Sequence, residues 1–321
     1  MDPKGGITDF VVRIATVNGT GSASANTLLM KSMFRMGVPV LGKNYFPSNI
    51  QGLPTWYEIR VTAEGYLSRS GFVNVMVAMN AQTYAEDLAC VTPGGSLICD
   101  STWPRKELQE RSDIQVLPIP LSGMCNEAFV GSRARILMKN IAYVGALGAL
   151  LNLDMEVVEA VLRETFGDKK NLIDSNNKAI QLGYSYAVEH FDCPLETRLQ
   201  TVESLDERIM IDGNTAAGLG CVYAGATVGS WYPITPSTSL VDAFSDFCKK
   251  LRIDKDSGKN NYCIIQAEDE LAAIGGALGA AWNGARAFTA TSGPGLSLMS
   301  EFLGLAYFTE IPLVLFDIQR A

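Results

Sequence analysis

The sequence predicts a two-domain α/β chain, and three observations carry that prediction. An apolar strand, Asp9 to Asn18, runs into the turn Gly19-Thr20-Gly21-Ser22-Ala23-Ser24 and then a helical run, Thr27 to Met36. Strand, Gly-rich turn and helix form the entry unit of a doubly wound α/β domain. Two further strand-to-helix turns recur in the second half, Tyr232-Pro233-Ile234-Thr235-Pro236-Ser237 and Ser292-Gly293-Pro294-Gly295. At 321 residues the chain exceeds the usual size of one domain.

Composition narrows the function. A formal charge of -8 with no basic block argues against nucleic acid or an anionic membrane as partner. The longest apolar runs, Ile141–Leu153 and Phe302–Phe316, are too short or too broken by Glu310 and Pro312 to span a bilayer. Met1 to Gly6 has no signal-peptide pattern, so a cytoplasmic protein is expected. Seven cysteines without a CxxC pair argue against a disulfide framework, and against a zinc site or iron–sulfur cluster held by this chain alone. His190, the sole histidine, reads as solvated, which removes Ser-His-Asp and Cys-His hydrolysis.

In the first half, Ser24 replaces the third glycine of the dinucleotide pattern. No acid lies between Asp9 and Glu58 to hold a nicotinamide ribose, so NAD is not expected. Arg13, Lys31, Arg35 and Lys43 suit a phosphate-rich ligand or an acidic partner; a packed turn without ligand is the alternative. Strands follow at Glu58–Thr62, Phe72–Met79 and Ser96–Asp100, the last after a turn at Thr92–Gly95. Helices are expected over Ala134–Leu151, from Asp154 (its cap) to Thr165, and over Asn171–Glu189. Periodicity is lost from His190 to Arg208, the linker candidate.

In the second half, Cys221–Gly229 reads as a buried strand. Thr235-Pro236 reads as the start of the helix that contains Leu240–Leu251, with Thr as cap and Pro in the first turn. The free donors there offer a place for an anion, unless the turn is an ordinary one. Strand Asn261–Ala267 leads to Glu268-Asp269-Glu270 and the small-residue helix Leu271–Ala281, which another surface can approach closely. Glu268 and Asp269 read as solvated acids, while Glu270 could turn inward. Strand Arg286–Thr291 precedes the Ser292 turn and helix Leu296–Tyr307. Strand Leu313–Ile318 delivers Gln319-Arg320 to the same sheet edge, where arginine can grip a carboxylate or simply be a surface residue.

Tyr232 to Ser237, Glu268-Asp269-Glu270-Leu271-Ala272-Ala273-Ile274-Gly275, Thr291 to Gly295 and Asp317-Ile318-Gln319-Arg320 resemble, in order and spacing, the α subunit of 2-oxoacid:ferredoxin oxidoreductases. Ser48-Asn49-Ile50-Gln51-Gly52-Leu53-Pro54-Thr55-Trp56, and Lys139-Asn140 with Gly145-Ala146-Leu147, resemble their γ domain. A γ domain fused ahead of α is the layout of 2-oxoglutarate:ferredoxin oxidoreductase α subunits. The resemblance implies a doubly wound γ-type domain over 1–192, a linker over 193–211, and a thiamine-enzyme pyrimidine-binding domain over 212–321. That second domain is expected to have a mainly parallel sheet and to be incomplete at its C-terminus, because the family continues beyond Arg320.

It also implies thiamine diphosphate shared with a β subunit that holds Mg2+ and a [4Fe-4S] cluster, in an (αβ)2 heteromer passing electrons to ferredoxin. Glu270 matches the glutamate on the aminopyrimidine ring that activates the cofactor. Thr235 matches the substrate-contacting threonine, and Arg320 the arginine that holds the substrate carboxylate. Gly19, Gly21 and Ser22 are a partial match for a coenzyme A contact. The implied reaction is oxidative decarboxylation of 2-oxoglutarate to succinyl-CoA and CO2. Alternatives are the same chemistry on pyruvate or on branched-chain or aryl 2-oxo acids, or a non-catalytic scaffold subunit.

Overall fold

The structure is a computed structural model that describes residues 9–45, 52–62, 65–66, 68–103, 111–199 and 208–319. The chain forms two compact units, Met1–Arg208 and Ile209–Ala321.

In the first unit, β1 (Phe10–Val17), α1 (Ser22–Arg35), β2 (Val40–Tyr45), β3 (Pro54–Val61), β4 (Val73–Ala78), α2 (Tyr84–Cys90), β5 (Val91–Asp100) and β6 (Gln115–Ile119) come first. They are followed by α3 (Leu121–Ala128), α4 (Ser132–Leu150), α5 (Met155–Phe166) and α6 (Lys170–His190). The sheet order is β2-β3-β1-β4-β5-β6. β1, β4, β5 and β6 are parallel, while β3 runs antiparallel to both β1 and β2. The doubly wound expectation holds for the parallel part; the β2–β3 hairpin is an addition to it.

Both faces of β1 are covered, as its unbroken apolar run requires. Phe10, Val12 and Ile14 enter one core with α1 and α4, and Ala15 enters a second with Tyr84 and Leu88 of α2. α4 and α6 touch backbone to backbone. A Cβ on Gly183 would press into the carbonyl of Ala142, whose carbon lies 2.8 Å away, and one on Gly145 would meet Ile180. Asp154 caps α5 as expected, accepting from Glu156 N–H at 2.9 Å.

Three expectations are corrected here. α1 begins at Ser22, five residues before Thr27, because Gly21 ends the turn in a left-handed conformation (φ 82°). Thr92–Gly95 is no turn ahead of β5 but an irregular stretch within it, with Val91 paired to Val73 and Ser96 to Val75. β2 and β6 carry strand pairing where none was read.

The second unit comprises α7 (Gly213–Tyr223), β7 (Val228–Trp231), α8 (Thr238–Leu251), β8 (Cys263–Gln266), α9 (Glu270–Trp282), β9 (Ala287–Thr291), α10 (Gly293–Leu298), α11 (Ser300–Phe308) and β10 (Val314–Asp317). Its four strands are all parallel, in the order β10-β9-β7-β8. On one face Phe288 packs edge-on against Phe244 and Phe316, with ring centroids 4.8 and 5.8 Å away. On the other, Ala273 and Ala277 of α9 are fully buried.

The buried strand expected over Cys221–Gly229 is corrected. Cys221 to Tyr223 finish α7, Gly225 (φ 83°) reverses the chain, and the strand starts at Val228. A continuous apolar run does not by itself separate buried helix from buried strand. Among the described residues, no helix is long and apolar enough to cross a membrane.

Candidate active site

A parallel sheet sends the C-terminal end of every strand to one edge, and the crevice opens where successive connections leave in opposite directions. In the second unit that point lies at β7, with β8 on one side and β9 on the other. The segments after β7, β8, β9 and β10 therefore share this edge: Tyr232–Ser237, Ala267–Glu270, Ser292–Gly295 and Ile318–Gln319.

Glu270 is the first residue of α9 and half-buried. Asp269 in front of it is the N-cap, its carboxylate accepting from Ala272 N–H at 2.7 Å. This fixes where the helix begins and so where the Glu270 stem emerges. Asp269 is thus an exposed acid with a capping bond, and Glu268 is exposed.

The stem leans on the Ser292 turn: a Cβ added to Gly295 would lie 2.8 Å from Glu270 Cγ. The same turn meets the end of β10. A Cβ on Gly293 would come within 3.3 Å of the Gln319 amide, which itself donates to Asp317 Oδ2 at 2.6 Å. The helix expected from Leu296 starts earlier, at Gly293, with Pro294 in its first turn, and breaks at Met299 before α11.

Thr235 stands on the neighbouring segment after β7, and its side chain is exposed. The expected helix start at Thr235-Pro236 is corrected. The Thr235–Pro236 peptide is cis. Ser237 N–H donates to Ile234 C=O at 2.9 Å, Thr238 N–H to the same oxygen at 3.3 Å, and α8 begins at Thr238 with Ser237 as N-cap. Two donors assigned to an anion are thereby already engaged, while the Thr235 hydroxyl is left to face outward. Arg320 lies outside the described residues. The structure thus gathers Glu270, Gly293, Gly295 and Gln319, with Thr235 on the adjoining loop. Sequence reasoning overlooked Gly295 and the Gln319 contact, although glycines on both sides of Pro294 were a signal of close approach.

In the first unit, Gly19 and Gly21 both have positive φ (85° and 82°). Asn140 Nδ2 donates to Thr20 C=O at 2.8 Å, and the Thr16 hydroxyl donates to the Ser22 hydroxyl at 2.9 Å. A cleft of about 250 Å³ opens at this turn, lined by Gly19, Gly21, Ser22, Asn44, Thr55 and Trp56 among others. Its lining mixes amides and hydroxyls with the Trp56 ring and carries no charged side chain. Arg13 is bound to Glu58 at 2.7 Å, Arg35 to Glu164 at 2.8 Å, and Lys43 lies 5.4 Å from the Tyr45 ring centroid. Those three of the four basic residues read as phosphate-facing are therefore engaged elsewhere. His190 is exposed and stacks on Tyr186.

Residues 11–186 match the family described as pyruvate ferredoxin/flavodoxin oxidoreductase. The chain belongs to this family. Residues 219–321 match the description "pyruvate flavodoxin/ferredoxin oxidoreductase, thiamine diP-bdg", so the fold is that of a γ-type α/β domain followed by a pyrimidine-binding α/β domain. Among similar proteins, 2-oxoacid:ferredoxin oxidoreductase 2 subunit alpha of Aeropyrum pernix is 30% identical over 95% of this chain and 54% of its own length. The 2-oxoglutarate oxidoreductase subunit KorA of Mycobacterium tuberculosis is 30% identical over 97% of this chain and 51% of its own. A solved 2-oxoglutarate:ferredoxin oxidoreductase from Magnetococcus marinus, with 2-oxoglutarate, coenzyme A and succinyl-CoA bound, superimposes with a TM-score of 0.82 at 29% identity, over 98% of this chain and 53% of that one. The chain spans about half the length of the curated relatives it matches.

Proposed function

We propose that this chain is the γ and pyrimidine-binding part of an oxidoreductase that decarboxylates 2-oxoglutarate, transfers the acyl group to coenzyme A as succinyl-CoA, and passes electrons to ferredoxin. The observation that carries the reading is the placement of Glu270: a half-buried carboxylate on the first turn of α9, its stem seated against Gly295 at the C-terminal edge of an all-parallel sheet. The residues present fit the pyrimidine ring of thiamine diphosphate. Gly295 keeps a side chain off the Glu270 stem, and the small residues of α9 let a flat ring approach the backbone.

Bound there, the cofactor would supply the electron sink that decarboxylation next to a carbonyl requires. Glu270 would hold a proton at the aminopyrimidine nitrogen, in the manner of a positioned general acid–base group. Thr235 would donate its free hydroxyl to the substrate beside the reacting carbon, and Arg320 would pair with the substrate carboxylate. The β partner would hold the diphosphate, Mg2+ and a [4Fe-4S] cluster, in an (αβ)2 assembly of the cytoplasm. The cleft at Gly19, Gly21 and Ser22 is the place for coenzyme A in the first unit. Its hydroxyls and amides suit a nucleotide's polar groups, with the phosphates drawing on backbone N–H donors.

The 2-oxoglutarate-specific relatives favour that acid over pyruvate or branched-chain and aryl 2-oxo acids, and relative kcat/KM values for these acids decide among them. Glu270→Gln, assayed in the assembled enzyme, should lower ferredoxin reduction by about 100-fold or more. Near-parental turnover would remove Glu270 from the reaction.

A further inference from the structure

The Ser292 turn does more than share an edge with Glu270. Gly295 is buried, and a Cβ placed on it would run into Thr291 Oγ1 and lie 2.8 Å from Glu270 Cγ. Gly220 on α7, by contrast, has nothing within 4 Å of its Cβ position. We infer that Gly295 is a positioning residue for Glu270: its missing side chain leaves a notch, walled by Thr291, in which the glutamate stem rests and which sets the direction of the carboxylate. This rests on the reading of Glu270 as the acid that faces the pyrimidine ring.

A glutamate at a helix start has several rotamers open to it, and freezing it into one costs side-chain entropy. Contact with a shaped wall offsets part of that before any ligand arrives. The wall itself is held firmly. Thr291 is 1% exposed, and the Gly295 carbonyl accepts from Met299 N–H at 3.0 Å inside the helical turn. The Glu270 side is the softer one, because that residue is only half-buried. A methyl group at position 295 would strike the buried Thr291 hydroxyl first and the Glu270 stem second. The half-buried glutamate is the freer of the two to move, so the carboxylate is re-aimed, and a displacement near 1 Å in a reacting constellation costs on the order of 100-fold in rate.

The test compares Gly295→Ala, Glu270→Gln and the control Gly220→Ala in the assembled enzyme. Three readouts serve: turnover, affinity for thiamine diphosphate by calorimetry, and the near-ultraviolet circular dichroism of the bound pyrimidine ring. Gly295→Ala should lose about 100-fold in turnover and reproduce the dichroism change of Glu270→Gln, while Gly220→Ala leaves all three at parental values. If Gly295→Ala keeps parental dichroism and turnover while Glu270→Gln does not, the positioning role is wrong and the glutamate reading stands. If both keep parental values, the glutamate reading itself fails and this inference goes with it. Should Gly295→Ala not fold, the three readouts are taken on its combination with Thr291→Ala, which removes the hydroxyl that the new methyl would strike. The Glu270→Gln dichroism change in that combination but not in Thr291→Ala alone supports the positioning role, and its absence overturns the notch.

Discussion

The two units spend their apolar residues differently. In the first, Val11, Val12, Ile14 and Ala15 of β1 are all 0% exposed, and the sheet has helices on both faces. In the second, the edge strands β8 and β10 leave Ile265 and Val314 substantially exposed, and Trp282, Tyr307 and Phe308 stand largely in solvent. Isolated exposed apolar residues are ordinary, but their recurrence on both sheet edges and on α9 and α11 leaves apolar surface that this unit's own core does not cover. The comparison teaches that the first unit keeps its central strand wholly inside, with isolated exposed residues such as Val130 and Trp103, while the second leaves a larger share of its apolar residues uncovered.

The largest effect that could break this comparison is expected at the α4–α6 crossing. Gly183→Ala forces the helices apart at the Ala142 carbonyl, and overpacking of this kind costs about 1–3 kcal/mol or more. The unfolding transition of the first unit should fall by several degrees. In the second unit, Gly220→Ala meets open space and should raise stability by ~0.5–1 kcal/mol through helix propensity. Equal losses in both variants, measured by thermal unfolding, would erase the distinction.

A smaller effect sharpens it. Phe308 is 84% exposed, so Phe308→Ser should shift the chain's own stability by less than about 0.5 kcal/mol. If this face meets the β partner, association measured by sedimentation should weaken in that variant. Unchanged association would show the aromatic patch to be plain surface.

The smallest expected effect is a pH dependence confined to the first unit. Asp87, 1% exposed, accepts from Trp56 Nε1 at 2.8 Å and from the Thr83 hydroxyl at 2.7 Å. Burial raises its carboxyl above the ordinary range, reinforced by Glu86 and opposed by the two hydrogen bonds and Arg13. A carboxyl raised in the folded state binds its proton more tightly folded than unfolded. Its contribution to stability is therefore full below the unfolded pKa and is lost as pH rises through the folded value. Asp87→Asn should flatten the decline in unfolding midpoint across the upper carboxylate range. An unaltered pH profile would mean that Asp87 does not titrate there.

Much of this arrangement was legible in the sequence, and the exceptions have physical causes. Asp154 was readable as a cap because a short acid before an apolar period has one favourable use. Glu270 was readable from its motif, since periodicity alone cannot distinguish it from Glu268. β6 escaped because Pro118 sits within it; a strand at the sheet's edge tolerates the missing N–H. β2 escaped because Gly42, Lys43 and Asn44 have little strand character; there Gly42 admits the Tyr57 ring and Met30 sulfur. The role of Gly295 was not legible, because it depends on two segments from different strands meeting at one point.

The all-parallel order of the second sheet also has a practical side. Because the four strands run the same way, the segments that follow them share one rim and those that precede them share the other. The stretch before β8 lies there, tied into a compact knot by Asp254, which accepts from the Ser257 N–H and hydroxyl at 2.7 Å each. Gly258 at its tip is exposed with φ 69°. A fluorophore, affinity tag or surface tether attached at that tip would sit at the rim of the second unit opposite the one that carries Glu270.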